Sequence, residues 1–167
     1  MIDREFYRQD SVSLARALVG KILVRRLPDG TELRLRITET EAYTGVDDTA
    51  CHAHKGKTQR TEVLWRDGGT IYVYLCYGMH NMMNIVSGSE GNAQAVLIRC
   101  CEGYPGPGRL TKALRITRSL NGEDMLSCSE LWLEDDGMNV NITPDKRVGI
   151  DYAEDADRNA LLRFKLT

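Results

Sequence analysis

The run Leu33-Arg34-Leu35-Arg36-Ile37-Thr38-Glu39-Thr40-Glu41-Ala42-Tyr43 decides how this chain is read. Alternate residues of a strand share a face. Leu33, Leu35, Ile37, Glu39, Glu41 and Tyr43 therefore point one way unless a bulge intervenes, and Arg34, Arg36, Thr38 and Thr40 point the other. An apolar row runs directly into two carboxylates and a tyrosine. A carboxylate on a core-facing row must be paired, neutral or lining a cavity. Two readings stay open: the strand leaves the core after Ile37 and both glutamates are solvated, or one glutamate is a general base in a pocket walled by Tyr43.

The strand spans Thr31–Tyr43 and is reached from a strand over Lys21–Leu27 by the turn Pro28-Asp29-Gly30. Before them, Asp10 or Ser11 caps a helix running to about Leu18, with Gly20 as its stop. Residues 44–67 are polar and rich in Lys, His, Thr and Gly. They form a long loop with room for a helical turn, and loops of this length in compact domains are usually functional. Thr70–Tyr77 and Asn81–Val86 are strand-like runs broken at Gly78, and Gln94–Cys101 follows the turn Ser87–Asn92. The Pro/Gly loop Gly103–Gly108 leads into a helical stretch, Arg109–Leu120, which Asn121-Gly122 ends. Leu131–Leu133, Val140–Ile142 and Arg147–Tyr152 read as short late strands. The pattern predicts a mixed α+β fold with a mostly antiparallel sheet, and 167 residues suit one domain over 1–167.

Hydrophobic residues make up 42% and charged residues 28% of the chain. No export signal and no membrane-length apolar stretch is visible, so a soluble, cytoplasmic chain with no membrane partner is expected. The five cysteines include no Cys-x-x-Cys pair and read as reduced thiols, with Cys76, Cys100 and Cys101 as small core residues. A net charge of −2 and an isoelectric point near 5.9 argue against a non-specific nucleic-acid coat protein. The average conceals a pattern: acids dominate 123–136 and 151–157, while Lys55, Lys57, Arg60, Arg109, Lys112, Arg115 and Arg118 cluster elsewhere.

Cys51-His52-Ala53-His54 invites a zinc reading, but no second Cys/His cluster supplies the remaining ligands, and no metal is expected. In Thr70–His80, Tyr72 and Tyr74 share one face and Ile71, Val73 and Leu75 the other, as ordinary packing requires. Tyr77-Gly78-Met79-His80 lies where the run breaks, so large side chains crown a turn, and insertion between base pairs is one use for them. Arg99 interrupts Ala95-Val96-Leu97-Ile98 and needs an acidic partner or many acceptors; Asn84 raises the same demand. Pro105-Gly106-Pro107-Gly108-Arg109 ahead of a basic helix fits a phosphate site as well as an ordinary surface turn.

Together these segments resemble the alkyladenine (3-methyladenine) DNA glycosylases of mammals and many bacteria. The matching pieces are Glu39-Thr40-Glu41-Ala42-Tyr43, His52, Gly56-Lys57-Thr58 with Arg60, Gly69–Gly78 with Met79, Asn84, and Val96-Leu97-Ile98-Arg99. Gly106–Leu114 and Arg147-Val148-Gly149-Ile150 complete the series, which recurs in order from about Ser11 to Tyr152. The resemblance implies a single mixed α/β domain with a curved sheet, flanking helices and a protruding β-hairpin. It implies a monofunctional enzyme that flips alkylated or deaminated purines out of double-stranded DNA and hydrolyses their glycosidic bond. The substrate class is 3-methyladenine, 7-methylguanine, hypoxanthine and ethenoadenine, and a monomer without cofactor is expected.

Residue by residue, the resemblance makes Glu41 the base that activates water, with Arg99 and the main-chain carbonyl of Val148 holding that water. Tyr43, His52 and Tyr74 would enclose the extruded base, Tyr43 and His52 on opposite faces, and Asn84 would exclude guanine. Tyr77 would fill the gap left in the duplex, helped by Met79 and His80, and Lys57, Arg60, Arg109 and Lys112 would touch phosphates. The chain departs from the family at Thr61, Leu64 and Trp65 and in the tail Asn159–Phe164, which bears on pocket and DNA contacts. Two rivals are a non-catalytic module for damaged or single-stranded bases, which aromatic and basic loops would serve equally, and a small-molecule nucleoside hydrolase. The first has no need of a water-activating carboxylate, and the second no need of a wedge at Tyr77.

Overall fold

A computed structural model describes residues 2–167. Asp3 caps a one-turn helix, α1 (Arg4–Tyr7), and Asp10 caps α2 (Ser11–Leu18), each carboxylate accepting from the backbone N–H three residues on. Both caps satisfy a donor that the first helical turn leaves orphaned. Gly20 then turns the chain at φ 95°, a conformation that favours glycine. Strands β1 (Ile22–Arg26) and β2 (Glu32–Tyr43) form a hairpin pairing Ile22 with Arg36 through Arg26 with Glu32. The loop after β2 holds two 3-10 turns, His52–Lys55 and Glu62–Trp65. It leads to β3 (Ile71–Cys76), β4 (His80–Ser87) and β5 (Gln94–Cys101). Helix α3 (Pro107–Ala113), β6 (Leu131–Glu134), β7 (Ile142–Asp145), α4 (Asp155–Asn159) and β8 (Arg163–Leu166) complete the fold. No helix among the described residues is long and apolar enough to cross a membrane.

All strand pairings are antiparallel. The curled eight-stranded sheet runs β3-β4-β5-β2-β1-β6, with β8 paired to both β2 and β7. The expected α+β class is therefore what forms. The twelve-residue β2 is its spine, taking β1 along its first half, and β5 and β8 along its second. One face of the sheet packs Ile37, Ala42, Ile71, Val73, Met83, Ile85, Val96 and Ile98 against Leu14, Ala15 and Leu18 of α2, Leu110 of α3 and Leu114 just past its end. Each large aliphatic side chain buried there contributes roughly 1.5–3 kcal/mol. A smaller apolar cluster, with Ala53, Val63, Leu64, Tyr72, Val86 and Ala95, lies under the long loop.

Three sequence expectations are corrected. The helix expected over Arg109–Leu120 stops at Ala113, because Arg115 takes a positive φ of 50° and a 3-10 turn, Arg118–Leu120, follows. Buried Arg25 closes that helix, donating to the carbonyls of Leu114 at 2.9 Å and Arg115 at 3.2 Å. The strand expected over Arg147–Tyr152 is a turn segment, since Gly149 sits at φ 77° and the Val148 N–H is taken by a side chain rather than a neighbouring strand. Cys101 is a core residue as expected, whereas Cys76 and Cys100 are only half-buried.

Candidate active site

The site begins with a bulge. Pairing of β2 with β5 shifts register between Ile37 and Glu39 and again between Glu39 and Thr40. Ile37 points into the core, yet so do Thr40, whose hydroxyl donates to the Ala15 carbonyl of α2, and Ala42. The single alternating row expected from Leu33 to Tyr43 therefore breaks at Thr38–Glu39. Glu39, Glu41 and Tyr43 end on the sheet face opposite Ile37, because a bulge inserts one residue and re-aims the side chains beyond it.

Glu41 is fully buried. Its Oε1 accepts from the Tyr43 hydroxyl at 2.9 Å and its Oε2 from the Val148 N–H at 2.7 Å. Burial pushes its carboxyl above the usual carboxylate range, while the Val148 N–H, the nearby Arg99 charge and the Tyr43 hydroxyl pull the other way. Those three partners are also wall residues of a cavity of about 330 Å³. Glu41 sits directly behind that wall. The Val148 carbonyl accepts no hydrogen bond among the described residues. Arg99, on β5, gives its Nε to Glu39 Oε2 at 2.8 Å, so the acidic partner that a strand arginine demands is Glu39 and not Glu41.

Aromatic rings and amides line the rest of the cavity. His52 lies 4.4 Å from Tyr74, centroid to centroid, and shares a 2.9 Å hydrogen bond with the Tyr72 hydroxyl through Nδ1. Burial, then Arg60 and Lys55, push the His52 pKa down, so the ring is neutral near pH 7. Asn84 gives Nδ2 to the carbonyls of Tyr72 (3.2 Å) and Met82 (3.3 Å), which fixes the amide and leaves its oxygen as the free group. Tyr43 is held from behind by the Arg147 guanidinium, 4.9 Å from its centroid. Arg147 is itself in a wholly buried pair with Asp48 at 2.6 Å. Burial lifts the Tyr43 hydroxyl well above its ordinary range, so it remains a neutral donor to Glu41.

At the rim, β3 and β4 form a hairpin whose tip carries Tyr77, 89% exposed, and Met79, 69% exposed. Tyr77 and Gly78 both take positive φ, 52° and 66°, and the Met79 N–H closes the turn onto the Cys76 carbonyl at 3.1 Å. The hairpin is braced by α3: Thr111 donates to the Asn81 carbonyl at 2.7 Å, and Gly108 leaves room for His80, whose Nδ1 would lie 2.8 Å from any Cβ there. Arg4, Arg8, Arg34, Arg36, Arg147 and Arg163 are all neutralised by acids. Among the described residues Lys57, Arg60, Arg109 and Lys112 have no ion-pair partner. Arg60 lies 5.8 Å over the Tyr74 ring and lines a second depression of about 450 Å³ that shares His52 and Tyr152 with the first. Lys57 and Arg60 lie on the long loop, and Arg109 and Lys112 on α3; Arg16, Arg25, Lys55, Arg115, Arg118 and Lys146 are without an acidic partner as well among the described residues.

The structure gathers Glu41, Tyr43, His52, Tyr74, Asn84, Arg99 and Val148 around one cavity, with Tyr77 reaching its edge and Met79 and His80 beside it on the hairpin. Lys57, Arg109 and Lys112 are not in its lining. Sequence reasoning missed Tyr72, Asp48, Arg147 and Glu39 as supports. Tyr72 was legible as a face-mate of Tyr74; Asp48 and Arg147, 99 positions apart, left no local signal. Of the family departures, Leu64 is buried in the cavity wall, Trp65 packs against the loop cluster, and Thr61 trades hydrogen bonds with Thr58.

A family model described as methylpurine-DNA glycosylase (MPG) matches residues 5–105 and 102–167. The chain is similar to a protein of Borreliella burgdorferi strain ZS7 provisionally named 3-methyladenine DNA glycosylase, at 44% identity over 177 positions, covering 98% of this chain and 94% of that one. Relatives with the same provisional name come from Natranaerobius thermophilus, 42% identical with 92% and 89% coverage, and from Methanocella arvoryzae, 43% identical with 95% and 89% coverage.

Proposed function

Since the chain belongs to the methylpurine-DNA glycosylase family, we propose that it rotates alkylated or deaminated purine nucleotides out of duplex DNA and hydrolyses their glycosidic bond with water activated by Glu41. One observation carries this reading: a wholly buried carboxylate, held by Tyr43 and Val148 with Arg99 nearby, sits behind the wall of an aromatic cavity. Burying a carboxylate is costly unless its partners are in place, and active sites are where that cost is met.

The chemistry is that of the groups present. As the C1′–N bond breaks, its electron pair leaves with the purine and positive charge develops on the sugar. Water attacks C1′, forms the new C–O bond and gives a proton to Glu41. The ionised carboxylate stabilises the developing charge, and the Val148 carbonyl, free of any partner among the described residues, is a second acceptor for that water. Tyr43 on one side and His52 with Tyr74 on the other would stack the extruded base. Damaged pairs cost less to unstack, which adds selectivity before the chemical step. The Asn84 side chain, fixed by its two backbone acceptors, would crowd the 2-amino substituent of guanine sterically, so unmodified guanine is excluded. Tyr77 fills the vacated stack, flanked by Met79 and His80, while Lys57, Arg60, Arg109 and Lys112 take phosphates. A single copy of the chain suffices.

The deciding assay is base release from duplexes carrying one hypoxanthine or one ethenoadenine, with methylated DNA alongside, by the wild type and Glu41→Gln. Release by wild type alone, with the variant still bound to damaged duplex, is the expected result; general-base loss costs roughly 10²–10⁴-fold. Damage-specific binding by both without release would make the protein a recognition module instead.

A further inference from the structure

That reading gives Glu39 no role. It occupies the bulge, and its carboxylate is nearly enclosed, 15% exposed, between two arginines. Oε2 accepts from Arg99 Nε at 2.8 Å; Oε1 accepts from Arg163 Nη1 at 3.2 Å. Arg163 lies on β8, directly opposite Glu41 in the β2–β8 ladder, and is fixed further by the Lys146 carbonyl at 2.6 Å and Asp145 at 3.1 Å. The C-terminal strand therefore clamps Glu39, and Glu39 clamps Arg99.

Arg99 spends only its Nε on Glu39, and its terminal nitrogens donate to no other group among the described residues. A guanidinium is a rigid planar fork, so fixing one nitrogen fixes where the other two point. Arg99 borders the cavity and its charge acts on Glu41. Without the bulge, Glu39 would stay on the Ile37 side and could not reach Arg99.

We propose that Glu39 is a positioning residue, which fixes Arg99 so that its free nitrogens hold the attacking water or the adjacent phosphate oxygen beside Glu41. This rests on the reading of Glu41 as the base. Misplacing a reacting group by about an ångström costs on the order of 100-fold in rate. Glu39→Ala should accordingly slow single-turnover base release by roughly 10–100-fold while the Kd for damaged duplex changes little. Glu39→Gln keeps an oxygen for the Arg99 Nε and recovers part of the rate.

The test compares single-turnover rates and duplex affinities of wild type, Glu39→Ala, Glu39→Gln, Arg99→Ala and both double variants, with thermal melts throughout. Glu39 acting through Arg99 predicts that either double variant is no slower than Arg99→Ala alone. Full rate in Glu39→Ala, or losses that multiply in the double variants, overturns the proposal. Should Glu39→Ala not fold, the isosteric Glu39→Gln series decides by the same comparison. Glu41→Gln, run in parallel, separates the two claims. If it retains activity, the reading of Glu41 falls; if it is dead while Glu39→Ala is fully active, only the role of Glu39 falls.

Discussion

Replacing Tyr77 by asparagine should make the protein more stable and a poorer ligand for damaged DNA. Tyr77 holds φ at 52° with its ring 89% exposed. A left-handed conformation costs an ordinary side chain roughly 1–2 kcal/mol, and an exposed ring recovers almost none of that by burial. Asparagine tolerates the conformation, and Asn-Gly is the favoured pair for a hairpin turn with two positive φ values. Stability should rise by about 1 kcal/mol, which for a chain of this size is a gain of roughly 2–4 °C in Tm. Against that, stacking an aromatic ring on a base is worth about 1–3 kcal/mol, so the Kd for a lesion-containing duplex should weaken by about 5- to 150-fold. Calorimetric melting and fluorescence anisotropy on the same preparations measure both. The diagnostic outcome is the opposition of signs. Lower stability would mean that the turn is not strained; higher stability with unchanged affinity would mean that Tyr77 does not enter the duplex.

Removing a bare cation should act on affinity without touching chemistry. Lys57→Ala should flatten the plot of log K against log salt by about one unit of slope, whatever the sequence of the duplex, as read by titrations at several salt concentrations. Asp48→Ala leaves Arg147 buried and unpaired, so urea melts should record a loss of about 3–5 kcal/mol, and loosening of the Tyr43 ring should cost activity in whatever protein remains folded. Because burial raises the Glu41 carboxyl and only its ionised form is a base, base release should climb with pH. Its half-maximum should fall above the ordinary glutamate value of about 4.3, as stopped single-turnover assays across pH would measure. A half-maximum at or below that value would remove the role given to burial.

Much of the architecture was legible because local chemistry decided it. Asp10 caps a helix, Pro28-Asp29-Gly30 makes a turn, and alternating residues place Tyr72 and Tyr74 on one face. The candidate site was legible as a set of residue types in a family order; of these, Tyr43, His52, Tyr74, Tyr77, Asn84, Arg99 and Val148 line one cavity, with Glu41 behind its wall, while Lys57, Arg60, Arg109 and Lys112 lie outside its lining. What could not be read was non-local. The bulge at Thr38–Glu39 depends on how β5 pairs with β2, and the stretch itself alternates without interruption. The turn at Val148 looked like a strand because its N–H partner, Glu41, lies 107 positions away. For the same reason β8 went unforeseen: four residues with a single fully buried side chain, Phe164, carry little pattern until β2 and β7 flank them.

The bulge in β2 makes chain length, more than residue identity, the guarded quantity in this stretch. Deleting one residue between Ile37 and Thr40 would rotate everything beyond it by half a turn of the pleat. Glu41 and Tyr43 would be thrust against Ala15 of α2, while Thr40 and Ala42 would be left lining the cavity. Such a chain would lose its core and its chemistry in a single step. Point substitutions can alter the pocket gradually, but a change of length here has no small version.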